Sequence, residues 1–521
     1  MDKNKKNAIV LSIVAVVTLI ALVVGATYAY FQNQYGSASN ADVNVTTYTT
    51  DMLTFTTGNA ISLYADQTSF GQEKGSLSGE TFAKATLVAN NKTNEATDNY
   101  YVYFNIENNT FKYTLGEDKP ELILTVTGPD GNEVTELPGL THKVVQDREN
   151  KSISGFDVTT TNGLITIANK KTITATPSKE EQYTLKLTFV NYEGDQTANA
   201  SSGLSAKVMI QKEKILSLAE YVISQYTGTQ GENGIYYHDA SLTNGAGDNS
   251  YRYAGASDAV NNYVCFGSNV TPCPADNLYR IIGVFGDKVK LIKADYATTA
   301  LLGADGDYSK MYTANNYDNS TYKGNNLANV AAYKWNKSNQ NTWSLSNLNK
   351  TNLNINFITN IGADWAAKIA ETTWKVGGNT WASIGTQPAK TAYQNEIVSP
   401  VTTNSQDNAT ELKAKIGLMY VSDYMYAVPQ DKWTFVGYNS DASKDYRAAI
   451  SVNWMYMGLY EWTLSRNADT SNLAFSVRYT GDVLNDTVGR FAYGVRPVFN
   501  LSSSVNYVSG SGTAADPIRI N

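Results

Sequence analysis

The N-terminus of the chain carries an apolar run over residues 8–24, and three lysines stand among the seven residues before it. Such a run is long for the core of a signal peptide and slightly shorter than the roughly 20 residues that span a bilayer. Basic residues stay on the cytoplasmic side of a membrane. The pattern therefore predicts a signal peptide or membrane anchor over residues 1–30, and it places the rest of the chain outside the cytoplasm.

Short β-type segments recur through residues 31–212 and predict one β-sandwich or jelly-roll domain. They lie at 82–89, 100–106, 121–127, 164–167, 172–175, 182–191 and 206–211. Within one of them, alternate apolar positions from Tyr183 to Phe189 share a face, while Lys186 and Thr188 point the other way. A Gly-Pro-Asp-Gly-Asn sequence at 128–132 has the composition of a turn between two strands.

Residues 213–226 carry an apolar stripe at the spacing of an amphipathic helix, formed by Ile215, Ala219, Val222 and Tyr226. Gly-, Asn- and Ser-rich sequence follows as far as residue 250. We therefore predict a helical hinge and linker over residues 213–250. The helix either packs on its own domain, which a stripe this narrow favours, or binds a partner.

The third block, residues 251–521, begins and ends with β patterns and predicts an α+β domain within a mainly β chain. Strand signals flank a Gly-Asp turn at 286–287 and predict a β-hairpin. Residues 363–371 are a modest helix candidate in a middle section rich in Asn and Trp. Further strand signals lie at 416–422, 461–465, 474–479 and 493–501.

Composition narrows the kinds of function that this chain can perform. Charged residues make up only 17% of the chain and the net charge is −7, so no basic surface for nucleic acid is predicted. Cys265 and Cys273 are the chain's two cysteines, and outside the cytoplasm they predict a disulfide. With two histidines, the chain has too few ligands for a familiar zinc site. We expect no metal, no cofactor and no catalysis, although a hydrolase built on acidic residues is a less favoured alternative.

The first 212 residues resemble the biofilm-fibre and camelysin-like proteins of Gram-positive bacteria. The resemblance rests on a leader that ends in Ala-Thr-Tyr-Ala-Tyr-Phe, on the β pattern and on residues 182–191. It implies cleavage of the leader at Ala29 and a jelly-roll domain directly after it. Residues 30–50 would then be either a strand donated to a neighbouring subunit or, as we prefer, the first strand of their own sandwich.

Residues 251–521 resemble surface domains of Gram-positive gut bacteria that have a C-type-lectin-like fold, related in outline to the formylglycine-generating enzyme. The matching stretches are 278–285, 416–422, 461–465, 494–497, 510–513 and 516–517. The resemblance implies binding of a sugar or protein ligand. The chain lacks the Glu-Pro-Asn, Gln-Pro-Asp and Trp-Asn-Asp triplets of calcium-dependent lectins. The spacing of its cysteines also differs from that of the enzyme's catalytic pair.

Eight residues of this block are candidates for ligand binding: Trp433, Trp454, Tyr456, Trp462, Arg466, Asn467, Tyr493 and Arg496. Aromatic rings stack on sugars, and arginine forks onto carboxylates. For the aromatic residues a place in the core, and for Arg496 an internal salt bridge, are the favoured alternatives. Arg466 and Asn467 are expected in a loop, where they would meet a ligand more readily.

The sequence therefore predicts a protein that is displayed on the cell surface, or secreted, and that recognises a cell-surface glycan or protein without catalysis. The alternative is a fibre or matrix subunit that self-associates through the N-terminal sandwich. In a displayed recognition protein, the N-terminal helix would contact the membrane. In a fibre subunit, removal of the leader would free an N-terminal strand.

Overall fold

The computed structural model describes residues 51–65, 69, 76–90, 95–312, 321–401 and 410–521. They fall into two compact units that divide between Lys214 and Ile215. The predicted leader, its cleavage at Ala29 and the predicted donor strand at 30–50 lie outside the described residues. None of the helices within these described ranges is long and apolar enough to cross a bilayer.

The first unit is built from β-strands. Their bounds are Met52–Thr57 (β1), Ile61–Tyr64 (β2), Leu77–Val88 (β3), Ala96–Asn109 (β4), Leu122–Thr127 (β5), His142–Gln146 (β6), Ser152–Asp157 (β7), Gly163–Ala175 (β8), Ser178–Phe189 (β9) and Gly203–Gln211 (β10). One antiparallel sheet has the order β1-β3-β9-β5-β7-β6 and the other β2-β10-β4-β8. Apolar residues of both sheets share one core, so the predicted β-sandwich is confirmed at the level of its layers.

The alternation of strand β9 follows the sequence prediction. Tyr183, Leu185, Leu187 and Phe189 are all buried in the core of the sandwich. By contrast, the segments predicted at 164–167 and 172–175 are parts of the single strand β8, which pairs with β4 through a shift in register. The short strands β1, β2, β6 and β7 were not predicted, because each has few core-facing positions to produce a pattern.

The second unit combines several small sheets with short helices. Its strands are Ile235–His238 (β11), Ser250–Tyr253 (β12), Tyr263–Cys265 (β13), Leu278–Phe285 (β14), Lys288–Lys293 (β15), Tyr308–Met311 (β16), Ala331–Lys334 (β17), Thr372–Lys375 (β18), Gly378–Asn379 (β19), Glu411–Ala414 (β20), Ile416–Gly417 (β21), Glu461–Asn467 (β22), Leu473–Val477 (β23), Val483–Thr487 (β24), Ala492–Tyr493 (β25), Val498–Asn500 (β26), Tyr507–Ser509 (β27) and Arg519–Ile520 (β28). The largest sheet has the order β11-β12-β14-β15-β26-β21, and β13 also pairs with β14. A smaller sheet has the order β19-β22-β23-β24.

The helices of the second unit are short. The α-helices are Leu218–Ser224 (α1), Thr299–Leu302 (α2), Ile358–Asn360 (α3), Ala363–Ala367 (α4), Trp381–Ile384 (α5), Ala389–Tyr393 (α6) and Val421–Tyr426 (α7), and π-helical turns span Leu348–Phe357 and Gln394–Val398. Helix α4 confirms a helix at 363–371, although it ends earlier than predicted. Strand β14, the turn at 286–287 and strand β15 form the predicted hairpin.

The stretch predicted as a hinge belongs to the second unit. Helix α1 begins after Ser217, whose side chain accepts a hydrogen bond from the backbone N–H of Glu220. Leu218 and Val222 of this helix lie in the unit's hydrophobic core together with Ile235 of β11. The prediction of a linker over 213–250 is therefore wrong from residue 215 onward, because the apolar stripe packs into its own unit.

A strand prediction also fails at residues 416–422. Only Ile416 and Gly417 form a strand, and the chain then enters helix α7 at Val421. All six residues of α7 are buried, Ser422 and Asp423 included, so no exposed face gives this segment a pattern that separates helix from strand. The disulfide between Cys265 and Cys273 is present as predicted.

Candidate functional site

The eight candidate ligand-binding residues all lie inside the second unit. Their exposed fractions range from 0% to 3%, for Trp433, Trp454, Tyr456, Trp462, Arg466, Asn467, Tyr493 and Arg496. The aromatic members therefore lie in the core, which was the favoured alternative for them, and they do not form a binding surface. Large aromatic side chains contribute more to stability when they are removed from water, and this unit uses them as core.

The tryptophans among these residues have their indole N–H groups hydrogen-bonded within the core. The indole nitrogens of Trp433, Trp454 and Trp462 each donate to a backbone carbonyl oxygen, over 2.8, 2.8 and 2.9 Å. The ring of Tyr493 lies 4.6 Å from that of Trp462, centroid to centroid. These side chains hold neighbouring segments together rather than facing a ligand.

Arg496 has the internal role that was the favoured alternative. Its Nε donates to Oε1 of Glu461 over 2.8 Å, and its Nη2 donates to the carbonyl oxygen of Met455 over 2.7 Å. Burial alone would lower the pKa of Arg496, but the Glu461 carboxylate outweighs burial and raises it. The pair is a structural salt bridge between β22 and the segment before β26.

Arg466 and Asn467 end strand β22 rather than lying in a loop, which corrects their predicted placement. The backbone of Arg466 pairs with Gly378 of β19 on one side and with Ala474 of β23 on the other. A Cβ atom on Gly378 would overlap the carbonyl oxygen of Arg466, so this close approach of two strands requires glycine. The backbone of Arg466 is therefore fixed from both sides.

The guanidinium of Arg466 differs from that of Arg496 in lacking a counter-charge. Its Nε and Nη2 are buried and meet no hydrogen-bond acceptor within the described part of the chain. We call these two nitrogens the open edge of Arg466. Burial lowers the pKa of Arg466 to about 10, which leaves the group charged at neutral pH. Burying a charge without a partner lowers the free energy of unfolding. Such a group is therefore a candidate for a functional site.

Arg466 lines a small, partly open recess that has room for roughly one water molecule. We call it the Arg466 recess, and its other lining residues are Asn341, Thr342, Trp343, Ser344, Val376, Glu411 and Leu412. Glu411 and Leu412 come from β20, and Val376 follows β18, so the small ribbon of β18 and β20 supplies one wall. The stretch 341–344 supplies the other.

Two further lining residues present buried polar atoms that are unpaired. Trp343 Nε1, a donor, and Asn341 Oδ1, an acceptor, have no hydrogen-bond partner among the residues that the structure describes. The orientation of the Asn341 amide is fixed, because its Nδ2 donates to the carbonyl oxygens of Asn467, Thr470 and Leu473. The recess therefore combines a charged donor pair, a neutral donor and a neutral acceptor.

Glu411 does not neutralise Arg466. Its carboxylate forms an ion pair with Lys375 across the β18–β20 ribbon. Within the described ranges, no Asp or Glu side chain lies within ion-pair distance of Arg466. The charge of Arg466 is therefore not balanced by a neighbouring carboxylate of the described ranges.

Comparison with family models, with curated proteins and with solved structures finds no match to this chain. The resemblances described from the sequence therefore remain predictions. The site has to be interpreted from its own geometry.

A buried carboxyl group, Glu396, lies next to the strand pair that carries Arg466. Its Oε1 accepts hydrogen bonds from Asn379 Nδ2 and from Ser465 Oγ, and its Oε2 accepts one from the backbone N–H of Ser422. Burial raises the pKa of Glu396 to about 7, although these hydrogen bonds oppose the rise. Sequence reasoning missed Glu396, because no motif surrounds it.

A Ser–His–Glu cluster in the first unit does not have the geometry of a catalytic triad. His142 Nε2 lies 3.0 Å from Glu133 Oε1 and 3.4 Å from Ser154 Oγ. A triad needs the acid and the nucleophile on opposite ring nitrogens, whereas both groups contact the same one here. The hydroxyl of Ser154 moreover donates to Glu133, over 2.6 Å.

His238 lies in the core of the second unit. Asp248 accepts a hydrogen bond from Arg252, and His238 is fully buried against Tyr426 and Trp433. In the described part of the chain, no group of three or more His, Cys, Asp or Glu side chains is placed to hold a metal ion.

Proposed function

We propose that this chain is a non-catalytic recognition protein that acts outside the cytoplasm and binds an anionic ligand in the Arg466 recess. The open edge of Arg466 is the observation that carries the proposal. A ligand that supplies the missing acceptor and counter-charge converts a buried, unpaired cation into a hydrogen-bonded ion pair. Part of the cost of burying Arg466 is then recovered on binding.

The rigidity of the site supports recognition. Arg466 sits in a strand that is paired on both sides, and the amide of Asn341 is held by three hydrogen bonds. A binding group that is already fixed loses little conformational freedom when the ligand arrives. The frame around Arg466 is thus rigid, and a ligand reaches the buried guanidinium when the recess widens.

The proposed location follows from the apolar run at 8–24 and from the cysteines. A disulfide such as Cys265–Cys273 persists in oxidising surroundings outside the cytoplasm. The proposal includes display at the cell surface or secretion, with a glycan or protein as the partner. The lectin-like fold of the second unit and the fibre-family relationship of the first are parts of this proposal.

A binding screen with the full chain tests the proposal. We expect the protein to bind at least one anionic component of a glycan and surface-protein array at micromolar concentration, and Arg466→Met to abolish that binding. Arg490→Met is the matched control, because Arg490 is an exposed arginine of the same unit. Binding that survives Arg466→Met, or no binding to any component, would overturn the proposal.

A further inference from the structure

We infer that Cys265 and Cys273 form an exchangeable disulfide, at which a low-molecular-weight thiol attacks Cys273 and Cys265 leaves as a thiolate. The thiolate of the attacking molecule forms a bond to Sγ of Cys273. The bond between the two cysteines breaks, and its electron pair stays on Sγ of Cys265. This inference concerns the disulfide loop of the second unit and does not depend on ligand binding by Arg466.

Arg519 supplies a positive charge to one sulfur of the disulfide. Its Nη1 lies 3.1 Å from Sγ of Cys265. Nη2 of the same guanidinium donates to the carbonyl oxygen of Val270 over 2.9 Å, so Arg519 is held against the loop between the two cysteines. Within the described ranges, no carboxylate lies within ion-pair distance of Arg519. A thiolate on Cys265 is therefore stabilised by a charge-assisted hydrogen bond from this guanidinium.

The two sulfur atoms have unequal surroundings. Sγ of Cys273 lies 3.6 and 3.7 Å from the carbonyl oxygens of Pro274 and Asn277, and among the described residues no cation contacts it. Sγ of Cys265 lies 3.4 Å from one such oxygen, that of Ser268, and the guanidinium opposes its effect. Carbonyl oxygens carry partial negative charge and disfavour a thiolate beside them. Cys265 is therefore the better leaving group of the pair.

Solvent access also favours attack at Cys273. Cys265 is only 1% exposed, whereas Cys273 is half-buried and directly follows the exposed stretch 269–272. Thiol–disulfide exchange depends on which sulfur the attacking thiolate reaches. A half-buried sulfur is open to a small thiol more readily than to a cysteine held in a folded protein. Access and leaving-group stability thus favour the same direction of exchange.

The chain on either side of the disulfide is held without it. The backbone N–H of Cys265 donates to the carbonyl oxygen of Ile518, and that of Phe266 donates to the carbonyl oxygen of Asn277, each over 2.9 Å. Nδ2 of Asn277 donates to the carbonyl oxygen of Phe266 over 3.1 Å, and Phe266 is fully buried. The disulfide closes a short loop, since its cysteines are 8 residues apart. Exchange therefore frees this loop and leaves the core of the unit in place.

Reaction of the full chain with reduced glutathione tests the inference. The reaction is stopped with acid, free thiols are alkylated with N-ethylmaleimide in denaturant, and tandem mass spectrometry locates both adducts. We expect glutathione on Cys273 and maleimide on Cys265 in the early products. Glutathione mainly on Cys265, or exchange that takes place only in denaturant, would overturn the inference.

Variants of Arg519 test its effect on the leaving thiolate. Arg519→Met removes the charge, so the initial rate of exchange should fall at least about tenfold, as expected for the loss of one charge-assisted hydrogen bond. Arg519→Lys keeps a cation and should restore part of the rate. Arg490→Met is the matched control, because Arg490 is an exposed arginine of the same unit, and it should leave the rate unchanged.

The direction of the change separates stabilisation of the thiolate from a structural role. If Arg519 only held the loop, its removal would break the hydrogen bond to Val270, open the loop and speed the exchange. An unchanged or faster rate in Arg519→Met therefore contradicts the inference. Circular dichroism before the reaction establishes that each variant is folded. If Arg519→Met does not fold, the adduct positions in the wild-type protein and the rate of Arg519→Lys relative to Arg519→Gln decide.

Discussion

Two buried arginines of the second unit are in opposite electrostatic situations. Arg496 is neutralised by Glu461, whereas the open edge of Arg466 meets no acceptor in the part of the chain that the structure describes. Removing one partner of a buried ion pair leaves an uncompensated charge, while removing an unpaired charge relieves a cost. The same substitution should therefore have opposite effects at the two positions.

We predict that Arg496→Met lowers the free energy of unfolding by about 3–5 kcal/mol. Arg466→Met should instead raise it by about 1 kcal/mol or more, because no buried acceptor loses its partner. Urea unfolding followed by tryptophan fluorescence measures both. A large destabilisation by Arg466→Met would show that Arg466 has a structural partner, and it would contradict the account of the site.

Glu396 should make the stability of the second unit depend on pH. Its pKa is about 7 in the folded chain, against an ordinary value of 4.5. As the pH rises from about 4.5 to 7, the unfolded chain releases this proton while the folded chain retains it, so stability falls by up to about 3 kcal/mol. Asp423 and Lys290 contribute to the electrostatic surroundings of this group.

Glu396→Gln tests this assignment, because the amide keeps an oxygen for the N–H of Ser422 and cannot ionise. Unfolding midpoints at pH 5 and pH 7.5 should differ less in the variant than in the wild-type protein. The midpoint at pH 7.5 should be higher in the variant. If the stability of both proteins depends on pH in the same way, a group other than Glu396 causes the pH dependence.

At the level of elements, β19 and β22 form the frame of the site. Gly378 is the residue that allows them to approach, because a side chain there would overlap the backbone of Arg466. We predict that Gly378→Ala lowers the free energy of unfolding by about 1–3 kcal/mol and weakens ligand binding. The matched control is Gly203→Ala, a strand glycine whose added Cβ would lie 3.5 Å from its nearest neighbour. Similar effects of both substitutions on urea unfolding would show that the frame tolerates a side chain.

The sequence predicted the elements with a regular pattern and a clear turn. Strand β9 alternates over four core positions, and the hairpin of β14 and β15 surrounds a glycine turn. The strand predicted at 416–422 exists only at Ile416 and Gly417, and its last two residues begin helix α7, whose six residues are all buried. Pattern reasoning therefore succeeds where a strand has an exposed face or adjoins a clear turn, and it fails where a buried segment has neither.

The sequence identified Arg466 as a candidate residue. It did not identify the neighbouring residues that leave its guanidinium without a partner. Its recess is formed by residues 341–344, by Val376 and by β20, which lie at least 50 residues away along the chain. A sequence pattern within β22 carries no information about such distant neighbours. The aromatic candidates were not at a binding surface for a related reason. Trp and Tyr occur both in protein cores and on binding surfaces, so their residue type alone does not decide between the two.

At the level of the whole molecule, the described residues form two units with a hydrophobic core each. The core of the first unit comes from its two sheets, and that of the second runs from Leu218 to Ile520. A unit that has its own core is expected to fold without the other. The proposed site lies entirely within the second unit.

We predict that a chain of residues 215–521 folds and retains the Arg466-dependent binding of the full chain. A chain that starts at residue 251, the boundary that the sequence suggested, should be much less stable, because it lacks α1 and β11. Calorimetric scanning of both chains measures this. Cooperative unfolding of the two at the same temperature would contradict the assignment of α1 and β11 to the core.

The claim at the centre of this account is that the open edge of Arg466 binds an anionic ligand. Nuclear magnetic resonance of the Arg466 Nε–H group in full-length protein with ¹⁵N-labelled arginine tests it most directly, with the signal assigned by its loss in Arg466→Lys. The account predicts that an anionic ligand identified by the array screen moves this signal in a saturable way while those of Arg490 and Arg496 stay in place. An Arg466 signal that does not move when that ligand is present at saturation would contradict it.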